Sequence, residues 1–135
     1  MTNAPAPTVW PTLRAHDAHA LIAFLGQAFG FEAVAVFADG GTVHHAQLAW
    51  PPGGGVMLGS AARDEDDEWP LRPGTAGVYC VTDDVDALAA RASAAGAVLR
   101  YGPRDTDYGS REVAFADPEG NLWSFGTYAG EPAGA

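Results

Sequence analysis

The feature that most constrains this chain is an internal duplication. Hydrophobic patterning gives the order β-α-β-β-β twice, at a nearly constant offset of 67 residues. Asp17 corresponds to Asp84, Leu21 to Leu88, Leu48 to Phe115, Met57 to Ser124 and Gly59 to Gly126. Identity between the halves is sparse, so the repeat is one of pattern rather than of letters. Neither half alone could bury both faces of a four-stranded sheet, and two such units must therefore form one domain. A length of 135 residues also accommodates one core and not two independent ones.

Each half carries one amphipathic helix opened by an aspartate, a residue whose carboxylate satisfies the unpaired N–H groups of a first turn. After Asp17, Ala20, Leu21, Phe24, Leu25 and Ala28 recur at helical spacing, and Gly30 is placed to stop the helix. After Asp84, Val85, Leu88, Ala89 and Ala92 do the same until near Gly96. Strands are expected over Thr8 to Leu13, Phe31 to Ala38, Thr42 to Trp50, Val56 to Ser60, Ala76 to Thr82, Ala97 to Tyr101 and Ser110 to Ala116. Asp39-Gly40-Gly41 and Pro51 to Gly55 supply turns, Gly102 to Gly109 reads as a loop, and the tail from Gly130 as frayed.

The chain closes on Phe115-Ala116-Asp117-Pro118-Glu119-Gly120-Asn121-Leu122-Trp123-Ser124-Phe125-Gly126-Thr127, a hairpin around a tight turn. Alternation puts Trp123 and Phe125 on one face of its last strand and Leu122 and Ser124 on the other. This hairpin resembles the closing hairpin of the vicinal oxygen chelate superfamily, which includes glyoxalases, extradiol dioxygenases and bleomycin-resistance proteins. Their last strand follows a D-P-x-G-x-x-x-E pattern whose Glu binds a divalent metal; the corresponding residue here is Ser124. Asp17 to Phe31 is similar to the superfamily's first helix, and Val81-Thr82-Asp83-Asp84-Val85-Asp86-Ala87 to its V-x-D-V-D-A strand-to-helix step. The resemblance covers roughly residues 8 to 128. It implies an α+β fold in which two tandem βαβββ modules, 8–62 and 75–128, form a cup-shaped sheet backed by helices. The acidic run Arg63 to Glu68 falls in the linker 63–74.

Composition excludes several functions. The net charge is −10 and the basic residues are all arginine, so no basic stripe exists for nucleic acid. An acidic surface instead favours solubility and attracts cations. No apolar run approaches the ~20 residues needed to span a bilayer, and Met1 to Pro7 lacks the basic and apolar regions of a signal peptide. A cytoplasmic protein is expected. The single cysteine, Cys80, excludes an intrachain disulfide and a cysteine-based zinc site, and reads as a buried structural thiol.

In metal enzymes of the superfamily each half places one ligand on its first strand and one on its last. Carried over by spacing, these positions are Trp10, Gly77, Met57 and Ser124, whose indole, absent side chain, thioether and hydroxyl do not suit a hard or borderline divalent cation. No metal, cofactor or catalytic residue is therefore expected. His16 and His19 flank a helix start, and His44 and His45, adjacent on a strand, are expected on opposite faces. The side chains expected to line the cup are Trp10, Thr12, His45, Gln47, Met57 and Tyr79, with Trp69, Tyr101, Tyr108 and Arg111 near its rim. Flat rings with a few polar handles suit a rigid aromatic small molecule. The expected function is non-catalytic sequestration of a bulky aromatic natural product or antibiotic by a homodimer, as in the metal-free bleomycin-resistance-like members. The alternative is a lyase, isomerase or dioxygenase, metal-dependent or based on His45.

Overall fold

In the computed structural model, residues 6–61 and 68–133 are described; most of the acidic run expected as a linker lies outside them. The first half contains β1 (Thr12–Ala15), α1 (Ala18–Phe24) continued by a π-helical turn (Leu25–Phe29), β2 (Glu32–Asp39), β3 (Thr42–Ala49) and β4 (Gly55–Ser60). The second contains β5 (Gly77–Val81), α2 (Val85–Ala94), β6 (Val98–Asp105), β7 (Arg111–Ala116) and β8 (Leu122–Gly126). The two sheets have equivalent orders, β1-β4-β3-β2 and β5-β8-β7-β6, each with its first strand parallel to its last. The duplication and the α+β architecture of two tandem βαβββ modules are both present.

Both helix starts are capped as the sequence requires. Asp17 Oδ1 accepts from Ala20 N at 3.1 Å, and Asp84 Oδ1 from Ala87 N at 3.0 Å. Gly30 ends the first helix at φ 90°, a conformation an L side chain rarely adopts. The last carbonyls of that helix are taken up by the other module. Arg91 of α2 donates through Nε to Gln27 O at 2.9 Å and through Nη2 to Gly26 O at 2.8 Å, a cation at the negative end of a helix dipole.

The helix-covered faces of both sheets share one core. Phe29, at the end of the π turn of the first module, meets Phe115, Trp123 and Phe125 of the second at ring-centroid distances of 6.2, 5.7 and 4.7 Å. Phe31 reaches Trp123 and Trp50 reaches Phe125. The Trp50 indole N–H also donates to Val81 O at 3.0 Å, closing the seam between modules.

The Asp117–Asn121 turn organises the second module. Asp117 is buried, and its carboxylate accepts from Glu119 N (2.8 Å), Asn121 N (3.0 Å), Asn121 Nδ2 (2.9 Å) and Trp123 Nε1 (2.8 Å). Asn121 Oδ1 accepts from Ala76 N, which fixes the start of β5. Glu119 leaves the turn to accept from His16 N (2.8 Å) and Asp17 N (2.9 Å), fixing the start of α1.

Two expected strands differ from the observed ones by more than one residue at an end. The first strand begins at Thr12 rather than Thr8, because Pro7 and Pro11 offer no N–H to the ladder; Pro11 contributes only its carbonyl, to Met57 N at 3.0 Å. The sixth strand does not stop at Tyr101. It passes Gly102 and Pro103 through irregular pairing and resumes with Arg104↔Glu112 and Asp105↔Arg111, so a Gly-Pro pair that signals a turn is here absorbed as a bulge.

Trp123 is fully buried and its N–H has a buried acceptor, whereas Trp10 is only half-buried. Trp123→Ala should cost ~3–5 kcal/mol in a urea melt and Trp10→Ala clearly less. The reverse order would mean that Trp123 does not face the shared core.

Candidate functional site

Opposite the shared core, each sheet has an open face, and the strand registers define what lies on it. In the second module the central row runs Tyr79–Ser124–Ala114–Tyr101 across β5, β8, β7 and β6. Two rings thus stand at the ends of a row whose middle is a hydroxymethyl and a methyl. With strands ~4.8 Å apart, the floor between them is about 14 Å from end to end. A cavity of about 510 Å³ occupies this face, lined by Gly77, Val78, Tyr79, Arg100, Tyr101, Ala114, Leu122, Trp123 and Ser124.

Tyr79 is held in place at one end. Its hydroxyl donates to Tyr128 O at 2.7 Å. Its ring lies over Gly126, where a Cβ would collide with the Tyr79 hydroxyl and the Glu112 stem. Burial raises the Tyr79 phenol above its ordinary pKa, so it remains a neutral donor. Beside it, Tyr108 donates to Glu112 Oε2 at 2.7 Å and meets Tyr128 edge-on, and that carboxylate raises the Tyr108 phenol as well. At the other end the guanidinium carbon of Arg104 lies 4.1 Å from the centre of the Tyr101 ring. A second cavity, about 470 Å³, lies at the seam between modules and shares Val78 and Tyr79 with the first.

In the first module the corresponding row is Ala35–Gln47–Met57–Thr12, with Phe37 paired to His45 one step along. The Phe37 and His45 rings stack at 6.1 Å. Trp10 lies ahead of β1, donating to Pro7 O at 3.2 Å, with its six-membered ring against Gly55. Gly55 precedes Met57 by two residues, so the indole is on the same face as Met57 and Thr12.

The expected lining residues therefore divide into groups. Thr12, His45, Gln47 and Met57, with Trp10 beside them, share the open face of the first sheet. Tyr79 and Tyr101 share that of the second, and Tyr108 stands at its end. Arg111 does not join them. Alternation with buried Val113 and Phe115 turns it toward α2, where Nε and Nη2 bind both oxygens of Asp86 at 2.9 Å and Nη1 binds Asp105 at 3.1 Å. The Arg111 guanidinium holds the Asp86 carboxyl below its usual range. Trp69 is on the exposed segment between modules. His44 and His45 do not alternate strictly: Val43 and Ala46 are both buried, so the register shift between Phe37 and Ala38 leaves neither imidazole in the core. His44 reaches Asp39 at 2.9 Å. Ser124, Ala114 and Arg100 were not among the expected lining residues. The alternation that put Ser124 opposite Trp123 already placed it on this face, but Ala114 and Arg100 needed the register.

The four positions that hold metal in the superfamily do not form a ligand set. Met57 pairs with Thr12 and Ser124 with Tyr79, Gly77 has no side chain, and the Trp10 indole nitrogen is a donor only. Among the described residues, no three His, Cys, Asp or Glu side chains come together in a way that could hold a metal ion.

A model of the family described as "Glyoxalase/Bleomycin resistance protein/Dioxygenase superfamily" matches residues 8–125. No curated protein matches the chain. Among solved structures, TioX from Micromonospora sp. ML1 superposes with a TM-score of 0.76 at 27% identity, over 90% of this chain and 98% of that one. A glyoxalase/bleomycin resistance protein from Streptomyces sp. CB03234 gives 0.63 at 27% identity over 84% and 94%. TnmS3 from the same Streptomyces, described as an antibiotic binding protein, gives 0.68 at 25% identity over 92% and 97%.

Cys80 is on β5 but faces the core, and burial pushes its thiol up to about 12. At pH 8 the thiolate is then about one part in 10⁴. The folded protein should leave a chromogenic disulfide reagent unreacted for hours and release one equivalent of thiol in denaturant; rapid reaction of the native protein would place Cys80 on the open face.

Proposed function

Because the chain belongs to the Glyoxalase/Bleomycin resistance protein/Dioxygenase superfamily, its function turns on what the open faces hold, and we propose that they bind and sequester a bulky, largely planar aromatic natural product without transforming it. The observation that carries this reading is the row Tyr79–Ser124–Ala114–Tyr101, a flat floor of small side chains between two rings. A planar ligand loses little entropy on entering such a slot, and each edge-to-face ring contact contributes about 0.5–1.5 kcal/mol beyond the area it buries. The poor match of Trp10, Gly77, Met57 and Ser124 to a divalent cation supports binding over metal catalysis. The similarity to TnmS3 supports an antibiotic as the ligand.

The working form is a homodimer. Phe37, Tyr79 and Leu122 leave 62%, 41% and 49% of their surfaces exposed on the open faces, and Val34, Val98 and Leu99 are exposed along the outer strands β2 and β6. An apolar surface of this extent on two half-sites is that of a chain completed by a second copy. No helix among the described residues is long and apolar enough to cross a membrane, and the proposed site of action is the cytoplasm.

Titration of a panel of polycyclic aromatic antibiotics, followed by tryptophan fluorescence, tests the binding reading. At least one should bind, with Tyr101→Ala weakening it about ten-fold and Ser124→Trp, which fills the floor, weakening it about 100-fold or more. Binding unaffected by Ser124→Trp would remove the second sheet from the site. Light scattering across a hundred-fold dilution should give twice the chain mass; a monomer at every concentration would refute the dimer.

A further inference from the structure

We infer that the aromatic ligand of the second sheet is acidic, carrying a carboxylate or ionised phenol that Arg100 and Arg104 receive at the Tyr101 end of the cavity. This rests on the binding reading above and adds the charge of the ligand to it.

The argument starts from how the arginines of an acidic protein are used. With a net charge of −10, carboxylates outnumber guanidinium groups and a neutralising partner is easily found. Arg111 has two, Asp86 and Asp105. Arg91 is occupied by two helix-end carbonyls. Arg100, by contrast, lines the cavity and has no hydrogen bond or ion pair among the described residues. Arg104 lies over the Tyr101 ring, and among the described residues no carboxylate holds it. The register sets Glu112 directly across from Arg104, yet the Glu112 carboxylate accepts from Tyr108 instead. Two positive charges are thus left uncompensated beside one ring of the slot.

The bulge between Leu99 and Tyr101 makes this arrangement possible. In a regular strand, alternation would send Arg100 to the face opposite Tyr101. The extra residue at the bulge lets Arg100 and Tyr101 border the same cavity. A planar ligand lying on Ser124 and Ala114 would present one edge to Tyr79 and the other to Tyr101. An anionic group on the second edge meets two guanidinium groups whose planar forks match a carboxylate. The acidic protein surface repels anions at long range, so an anion preference would be a local property of this end of the slot.

Three probes with one ring system separate charge from stacking: anthraquinone-2-carboxylate, its neutral carboxamide, and the cationic 2-(aminomethyl)anthraquinone. The carboxylate should bind about ten-fold tighter than the carboxamide at low salt, and the cation weakest. In Arg100→Gln with Arg104→Gln, the carboxylate should lose its advantage, its affinity ratio to the carboxamide falling from about ten-fold to about one whatever the change in both. Arg72→Gln, on the exposed segment before β5, should change neither. Equal binding of carboxylate and carboxamide, or tightest binding of the cation, overturns the inference and leaves aromatic binding standing. Failure of all three probes to bind, when the antibiotic panel also fails, overturns both.

Discussion

The second half of the structure hangs on the Asp117 carboxylate. Four N–H groups converge on its two oxygens, and one of them belongs to the fully buried indole of Trp123. A buried carboxylate is tolerated only when its acceptor capacity is filled, and a buried indole only when its N–H is used. Each group therefore removes the desolvation penalty of the other. From there the dependence spreads outward: Asn121 fixes β5 through Ala76, Glu119 fixes α1 through His16 and Asp17, and Trp123 anchors the rings that both sheets share. With both oxygens satisfied locally, the turn also sets which way the last strand faces, and so sends Ser124 to the open side.

Much of the fold was legible because its signals are periodic and local. The Asp17 and Asp84 caps, the 3.6-residue spacing of Leu21, Leu25 and Ala28, and the alternation around Trp123 each have one satisfactory structural solution. The misread elements are those in which a local signal was outweighed. Gly102-Pro103 has turn chemistry, yet pairing of Arg104 and Asp105 with β7 carries the strand past it. The π-helical turn at Leu25–Phe29 left no trace in the spacing, because one extra residue within a turn hardly disturbs an apolar stripe.

The site was legible in part for the same reason. Thr12, Gln47, Met57 and Tyr79 lie on regular strand segments, where alternation alone assigns a face. Arg111 was misjudged because its face depends on the exact start of β7, and its partner Asp86 is on a helix 25 residues earlier. Arg100 was invisible because a bulge reverses the face of every residue beyond it. Bulges depend on the register between two strands, and one strand's sequence does not encode that register.

The contact of Phe29 with Phe115, Trp123 and Phe125 has a consequence for how this protein can change. One set of rings is core to both modules, so the two halves share a single cooperative unit, and a substitution among those rings loosens both sheets together. Total stability is of the order of 5–15 kcal/mol, so these positions have little latitude. The residues on the opposite faces carry no such burden. Gln47, Met57, Ala114 and Ser124 can be exchanged on either sheet without disturbing the other, so a duplicated frame of this kind can be altered one face at a time.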